Sequence, residues 1–179
     1  MNEYMTVETT NEYGSVCFSL QYTADIQNGA VVGKGDLVTG EDSIYQAIDD
    51  YSDGIYLVAN PAWSYDDSSI VNQNEENYIN KAGVPFRAYR LGKDMKYKIG
   101  NVADADFTTG DYVKYEGGKY SKSDSPTPLK VVKVETVGFP YCIGSAGVTI
   151  AGDSDNKYGK AIETRTTKYT IEVVPVKED

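Results

Sequence analysis

The residues that could do chemistry in this chain are carboxylates, because none of its 179 residues is a histidine. Without histidine, no imidazole is present to act as a general base or a metal ligand. Paired carboxylates can still hydrolyse glycosides, and the candidate pairs are Asp66 with Asp67 and Asp104 with Asp106. Both pairs lie in polar, turn-like segments, where aspartates are usually solvated. We therefore expect no enzymatic activity.

The segment DSDNKYG, residues 153–159, is the nearest approach to a calcium-binding loop. Asp153 and Asp155 stand at alternate positions, as oxygen ligands do in such loops. Lys157 occupies the next ligand position, however, and no glutamate follows at the required distance. The GKGD segment at 33–36 lacks the Gly-Lys-Ser/Thr ending of a phosphate-binding loop. We expect neither a metal nor another cofactor.

The charge of the chain argues against polyanionic partners. With 17 basic and 27 acidic residues, its formal charge is 17 − 27 = −10, so we expect binding to neither nucleic acid nor anionic membranes. No apolar run approaches the roughly 18 residues of a membrane-spanning helix. The opening MNEYMTVETTNEYGS has neither a basic nor an apolar region, so no signal peptide is predicted.

Alternating apolar and polar residues predict strands along most of the chain. These runs are short and bounded by Gly, Pro, Asp or Asn, which predicts an all-β fold, either a sandwich or a barrel of short antiparallel strands. The run at 43–51 also fits helical spacing, and we interpret it as a strand. The last run is long and largely polar, which favours a sheet edge or an intersubunit surface. The predicted runs are 16–23, 43–51, 54–61, 84–92, 95–101, 110–122, 129–137, 139–144, 146–152 and 160–176.

Two segments fall outside this pattern. Residues 1–12 are polar and without a clear period, which predicts an extended N-terminal arm before a single β-rich domain at 13–179. Residues 61–83 are polar and too long for a plain connection, which predicts a functional or interface excursion. Within it, residues 74–83 are predicted to form one short helix, with Asn74 capping its start and Gly83 its end.

Glycines mark the predicted turns. Asn-Gly within QNGA, residues 27–30, suits a tight turn, and Gly117-Gly118 predicts a two-residue hairpin. The residues facing each other across that hairpin are then Tyr115 with Tyr120 and Glu116 with Lys119. The Gly-Asp pairs at 35–36 and 110–111 are interpreted as turns that begin strands.

The chain contains 16 tyrosines against 4 phenylalanines and 1 tryptophan. Tyrosine suits half-buried strand positions as well as protein interfaces, and both interpretations stay open. Trp63, the one tryptophan, either packs the excursion onto the sheet or anchors a partner. Cys17 and Cys142 lie in alternating apolar stretches and are predicted to be buried thiols.

Four segments resemble the small auxiliary head proteins, also called decoration or cement proteins, of tailed bacteriophages. They are NGAVVGKGDLVTGED, DGIYLVANPAWSYDD, AGVPFRAYRLGKDMKYKI and TGDYVKYEGGKY, within roughly residues 29–122. In that group, a strand ending YLVA-P leads into a polar loop with an acidic Tyr-Asp pair. An AG-x-x-x-R-x-Y-x-L segment and a Gly-Asp strand with an exposed hairpin follow. The matching residues are Tyr56–Pro61, Tyr65-Asp66, Ala82-Gly83, Arg87, Tyr89, Arg90, Leu91 and Gly110–Val113.

The resemblance implies a β-rich virion protein without catalysis or cofactor, made in the host cytoplasm and bound to the outer capsid surface. Its partners would be the major capsid protein and further copies of itself in a homo-oligomer. The N-terminal arm could add a strand to a neighbour, and many copies would sum weak contacts. The candidate partner-binding residues are Tyr4, Met5, Val7, Trp63, Tyr65, Tyr78, Tyr115 and Tyr120.

Three alternatives stay open. A tail-tube or head–tail connector subunit would form rings, with the hairpin at 111–122 pairing between neighbours. A carbohydrate-binding β-module would use Trp63 and tyrosines as a sugar platform, and it would need export. A hydrolase working with carboxylates alone is the least favoured.

Overall fold

The structure is a computed structural model that describes residues 6–9, 16–61, 78–100, 106–137 and 166–175. All helical or strand structure in these ranges is β-strand, which confirms the predicted all-β fold. The strands are β1 (Thr6–Thr9), β2 (Cys17–Gln21), β3 (Ile26–Gln27), β4 (Val31–Leu37), β5 (Ile44–Ile48), β6 (Ile55–Val58), β7 (Ile79–Asn80), β8 (Phe86–Leu91), β9 (Lys96–Gly100), β10 (Tyr112–Glu116), β11 (Lys119–Ser123), β12 (Leu129–Val137) and β13 (Thr166–Val173).

Five strands close into a small barrel in the order β2-β5-β4-β6-β8. Four of its pairings are antiparallel, as predicted, but β2 and β5 run parallel. A parallel pair needs a crossover connection, and residues 22–43, which include β3 and β4, supply it. Inward-facing side chains fill the barrel, among them Leu20, Val32, Val58 and Phe86.

A six-stranded antiparallel sheet, ordered β1-β9-β13-β12-β10-β11, packs against the barrel wall formed by β4, β6 and β8. The result is sandwich-like, with one core inside the barrel and a second between barrel and sheet. Strand β6 belongs to both cores and is therefore buried along its whole length. Its Tyr56 and Val58 pack in the barrel, whereas Ile55 and Leu57 pack with the sheet.

The polar C-terminal run was predicted to be a sheet edge or an intersubunit surface, and the structure excludes the sheet edge. Strand β13 lies between β9 and β12 and pairs with both. Its Tyr169, Ile171 and Val173 are buried against the barrel, and Lys168 and Glu172 belong to the opposite face. Alternation reveals that a strand has two different faces, but it carries no information on how many neighbours the strand has.

Two further predictions differ from the structure. Cys17 is exposed, because it lies on the face of β2 opposite to the buried Leu20; Cys142 lies outside the described residues. No helix occurs in the part of the 74–83 segment that the structure describes. Ile79–Asn80 instead form β7, which pairs antiparallel with β3, while residues 74–77 lie outside the described ranges.

The predicted hairpin is confirmed. Gly117 and Gly118 have positive φ values of 59° and 82°, as a two-residue turn of the mirror-image type requires. The register pairs Tyr115 with Tyr120, whose ring centroids lie 5.0 Å apart in an edge-to-face arrangement. This aromatic pair stabilises the hairpin next to the junction of barrel and sheet.

The two Gly-Asp pairs have different structural roles. Asp111 closes a turn, since one carboxylate oxygen accepts from the Thr108 N–H at 2.9 Å and the other contacts Lys122 at 2.7 Å. Asp36, by contrast, lies exposed within β4 near a register shift, so its interpretation as a turn is wrong. Gly33 in the same strand is needed for packing, because an added Cβ would lie 1.8 Å from the Asp50 carbonyl oxygen.

A buried chain of hydroxyl groups joins the sheet to the barrel. The Tyr120 hydroxyl donates to the Gly29 carbonyl oxygen at 2.7 Å. Because that uses the single hydroxyl proton of Tyr120, the Tyr97 hydroxyl donates to Tyr120, at 2.9 Å. Burial, followed by the neighbouring Tyr97, raises the pKa of Tyr120 well above its ordinary value, so the phenol stays protonated.

The first prediction concerns this chain. Tyr120→Phe removes the hydrogen bond that the buried Gly29 carbonyl accepts and the one that joins Tyr120 to Tyr97, so the free energy of unfolding should fall by about 1–3 kcal/mol. Tyr115→Phe is the matched control, because the Tyr115 hydroxyl makes no hydrogen bond within the described ranges; its effect should stay below about 0.5 kcal/mol. Urea denaturation measures both, and equal effects would contradict the assignment.

The second prediction concerns pH. The hydrogen bond from Lys122, then that from the Thr108 N–H, lowers the pKa of Asp111. A lowered native pKa means that the carboxylate stabilises the fold above the unfolded pKa of about 3.9 and loses this effect as the pH falls through the native value. Asp111→Asn should therefore reduce stability at pH 7, and the deficit should narrow below about pH 4. Asp36→Asn should leave stability at pH 7 unchanged, and a constant Asp111→Asn deficit at all pH values would contradict the assignment.

Candidate functional site

The polar excursion leaves the barrel after β6 and returns through β7. Pro61 is the last described residue before residues 62–77, and Tyr78 is the first one after them. The chain on both sides of this gap is held together by four side chains, which we call the asparagine root. Its members are Asn28, Asn60, Tyr78 and Asn80.

The asparagine root begins with a reciprocal pair of hydrogen bonds. The Asn28 amide donates to the Asn60 carbonyl oxygen at 2.7 Å, and the Asn60 N–H donates back to Asn28 Oδ1 at 3.0 Å. The Asn60 amide then donates to the Tyr78 hydroxyl at 2.9 Å. The outgoing and returning chains are therefore joined directly, side chain to side chain.

Asn80 completes the asparagine root from the returning chain. Its amide nitrogen donates to the Ile26 carbonyl and to Asn28 Oδ1, both at 3.1 Å. Asn28 and Asn80 are 6% and 3% exposed. Inside a protein such bonds are stronger than in water, and an unpaired polar group is costly. Because these side chains are buried, arrangements that break their hydrogen bonds are disfavoured.

The Asn28-Gly29 turn explains why the root forms at this position. Gly29 has a φ of +88°, in the region that glycine tolerates best. Its N–H donates to the Val58 carbonyl at 2.8 Å, which fixes the turn against the end of β6. The Asn28 side chain is thereby placed beside Asn60, two residues beyond Val58.

A groove of about 890 Å³ lies near the hairpin, between the β5–β6 loop and β10. Its apolar lining includes Ile55, Leu91 and Pro128, and its aromatic lining is Tyr51 and Tyr115. The charged residues around it are Asp49, Asp50, Asp53, Arg90, Lys114 and Glu116.

Several polar groups in and beside this groove form hydrogen bonds. The Tyr22 hydroxyl donates to Asp49 at 2.6 Å, and this hydrogen bond raises the pKa of Tyr22 to about 12. Burial raises the pKa values of Tyr51 and Tyr115, and the Ser52 N–H lowers that of Asp50. Near neutral pH the phenols therefore stay protonated and Asp50 stays ionised.

The described ranges contain neither a cluster of metal-binding side chains nor a membrane-spanning helix. Within the described part of the chain, no three Asp, Glu or Cys side chains come together in a way that could hold a metal ion. Nor do these ranges contain a helix with the length and hydrophobicity needed to cross a bilayer.

The structure places the predicted partner-binding residues in different surroundings. Tyr78 belongs to the asparagine root, Tyr115 lines the groove, and Tyr120 is buried at 3% exposure, so its ring does not face a partner. Val7 lies in β1 opposite Ile99 of β9. The other four, Tyr4, Met5, Trp63 and Tyr65, lie outside the described residues.

Asn28, Asn80 and Tyr51 were not predicted as site residues. The sequence predicts Asn28 only as part of a turn, because its partners Asn60 and Asn80 lie 32 and 52 residues further along the chain. The only available signal was the high frequency of asparagine around β6 and β7. Hydrogen bonds over such separations leave no periodic pattern in a single sequence.

The third prediction tests the asparagine root. Asn28→Ala removes the acceptor of two hydrogen bonds and the donor of a third. It leaves the half-buried N–H and carbonyl groups of Asn60 without this partner, and it removes one of the two hydrogen bonds of the buried Asn80 amide. The free energy of unfolding should therefore fall by about 2–4 kcal/mol. Gln46→Ala, whose half-buried amide bonds only its own strand at Ala47, is the control and should cost less than about 1 kcal/mol. Similar losses for both variants in urea denaturation would show that Asn28 has no special role.

Comparison with known proteins identifies no relative of this chain. Its sequence matches no protein family, and neither a curated protein nor a solved structure is significantly similar to it. Its function is therefore inferred from its residues, from their geometry and from the resemblance in short motifs.

Proposed function

We propose that the chain is a structural protein of a bacteriophage virion that binds the outer surface of the capsid and reinforces it, without catalysis and without a cofactor. The observation that carries this proposal is the arrangement of the motifs that resemble decoration proteins. Tyr56–Pro61 and Arg87–Leu91 are far apart in sequence, yet β6 and β8 are adjacent antiparallel strands, with Leu57 opposite Tyr89. Two of the resembling motifs are therefore neighbours in the fold, which supports the proposal.

The fold also gives the polar excursion a fixed base. The asparagine root clamps the chain at Asn60 and at Tyr78, on either side of the segment that contains Trp63 and Tyr65. Fixing the base of a binding segment before it meets its partner reduces the ordering entropy lost on binding. The excursion is accordingly the part of the chain that we assign to contact with the major capsid protein.

The N-terminal arm supports the proposal in a second way. Its residues Thr6–Thr9 form β1, which pairs with β9 at the end of the six-stranded sheet. The arm can therefore adopt strand structure, and the outer edge of β1 pairs with no strand among the described residues. An extended segment of the capsid or of a neighbouring copy can add there through main-chain hydrogen bonds.

The proposed setting is the one that the resemblance to decoration proteins implies. The chain would be made in the host cytoplasm and assemble as a homo-oligomer on the capsid exterior. Repetition over a lattice turns individually weak contacts into firm attachment. Its formal charge of −10 disfavours binding to the packaged nucleic acid.

The hairpin favours one second candidate, a ring-forming tail-tube or connector subunit. Strand β11 ends the sheet and has β10 as its one strand neighbour within the described ranges. An open hairpin edge of this kind can pair with a neighbouring subunit. Closed rings of the purified chain that persist without heads at about 500 mM salt, where exposed ion pairs are screened, would favour this candidate.

The fourth prediction tests capsid binding. Heads of the phage that encodes the chain, assembled without it, are mixed with purified protein and sedimented. We expect saturable binding that weakens at least about tenfold in Trp63→Ala/Tyr65→Ala, as for aromatic anchors at other interfaces. Removal of residues 1–12 should also weaken binding while the domain stays folded by circular dichroism.

Two controls make this experiment decisive. Replacing residues 1–12 by a Gly-Ser segment of equal length shows whether binding depends on the sequence of the arm or only on its length. Tyr112→Ala removes a large ring from another part of the surface and should leave binding unchanged. Failure of the unmodified chain to sediment with the heads would contradict the proposed function, and full binding without the arm would contradict the role of the arm.

A further inference from the structure

The six-stranded sheet turns one face towards the barrel and carries lysines on the other. The buried Tyr97, Ile99 and Ile171 point to the barrel, so the residues that alternate with them belong to the outer face. We call the part of this surface on β9, β13 and β12 the lysine face. Its charged members, among side chains that the structure describes, are Lys96, Lys98, Lys130, Lys133, Lys168, Glu135 and Glu172.

Ion pairs across the strands show that these side chains share one surface. Lys96 contacts Glu172 at 3.4 Å, and Glu135 contacts Lys98 at 3.0 Å and Lys133 at 2.6 Å. These contacts connect β9, β13 and β12. Lys133 nevertheless keeps 63% of its side chain exposed, so its charge is available at the surface.

The net charge of the lysine face is positive, whereas the net charge of the whole chain is negative. Five lysines and two glutamates give 5 − 2 = +3, whereas the whole chain carries −10. The remainder of the chain therefore carries −10 − 3 = −13. Because the rest of the chain is strongly acidic, other surfaces of the same protein are complementary in charge to the lysine face.

The acidic counterpart with the best-defined position is the β5–β6 loop. Asp49, Asp50 and Asp53 lie within five residues and are exposed. The Asp50 carboxylate also accepts from the Ser52 N–H at 2.9 Å, which holds the loop in a turn. The loop therefore offers several carboxylates on a connection between two barrel strands.

We propose that the lysine face of one copy binds the β5–β6 loop of a second copy. The two surfaces differ, so the contact is heterologous and generates a ring or an open chain of copies. Glu135 and Glu172 within the lysine face would repel a continuous polyanion but fit a protein surface of mixed charge. Exposed ion pairs are weak and screened by salt, so this association is modest and depends on ionic strength.

A charge-swap experiment on the chain alone tests the proposal, independently of capsid binding. Sedimentation velocity should show self-association of the unmodified chain at about 50 mM salt and at least about tenfold weaker association at 500 mM. Lys130→Glu/Lys133→Glu changes the charge of the lysine face from +3 to 3 − 4 = −1. Asp49→Lys/Asp53→Lys changes the charge of the loop from −3 to −3 + 4 = +1 and keeps Asp50 at the turn. Each variant alone should be monomeric.

Mixing the two variants gives the decisive result. The reversed lysine face of one variant then meets the reversed loop of the other, so a mixture in equal amounts should associate again. Lys81→Glu/Lys93→Glu changes the net charge by the same amount in two exposed turns outside the sheet and should associate as the unmodified chain does. A chain that stays monomeric at low salt would overturn the proposal. So would association that persists in the separate variants, or a mixture of folded variants that stays monomeric.

Discussion

The structure depends on the turn at Asn28-Gly29, where three parts of the molecule meet. The Gly29 carbonyl accepts the buried hydroxyl of Tyr120 from the sheet, and the Gly29 N–H donates to Val58 of the barrel. The Asn28 side chain clamps Asn60 at the exit of the polar excursion. Each bond is worth only about 1 kcal/mol net, but leaving its buried partner unpaired costs more. The position of the sheet on the barrel and the position of the excursion are therefore set by the same two residues.

This arrangement suits binding by surfaces. The sandwich-like body presents an edge strand at β1, a hairpin at β10 and β11, and a polar excursion with a fixed base. The groove contains two phenols, Tyr51 and Tyr115, that stay protonated because burial raises their pKa values. A protein that contributes mechanical support to a shell needs such rigid surfaces in many copies more than it needs one reactive pocket.

The sequence predicted features that depend on neighbouring residues, such as strands and turns. It did not predict contacts between segments that are far apart in the chain. The strand at Ile44–Ile48 and the hairpin at Gly117-Gly118 follow from period and turn chemistry, and both were predicted correctly. The central position of β13 was missed because a polar outer face looks the same at an edge and in the middle of a sheet. The parallel pairing of β2 with β5 and the link from Asn28 to Asn80 also join distant segments. The exposure of Cys17 shows that alternation alone does not say which face of a strand is inward.

Electron microscopy of phage heads assembled with and without this protein tests its proposed role most directly. The account predicts additional density on the outer capsid surface of the sandwich's size, present only when the protein is supplied. The contact with the shell should be made by the excursion that begins after Pro61 and by the N-terminal arm. Identical heads in both preparations, or density confined to the tail or the head interior, would contradict it.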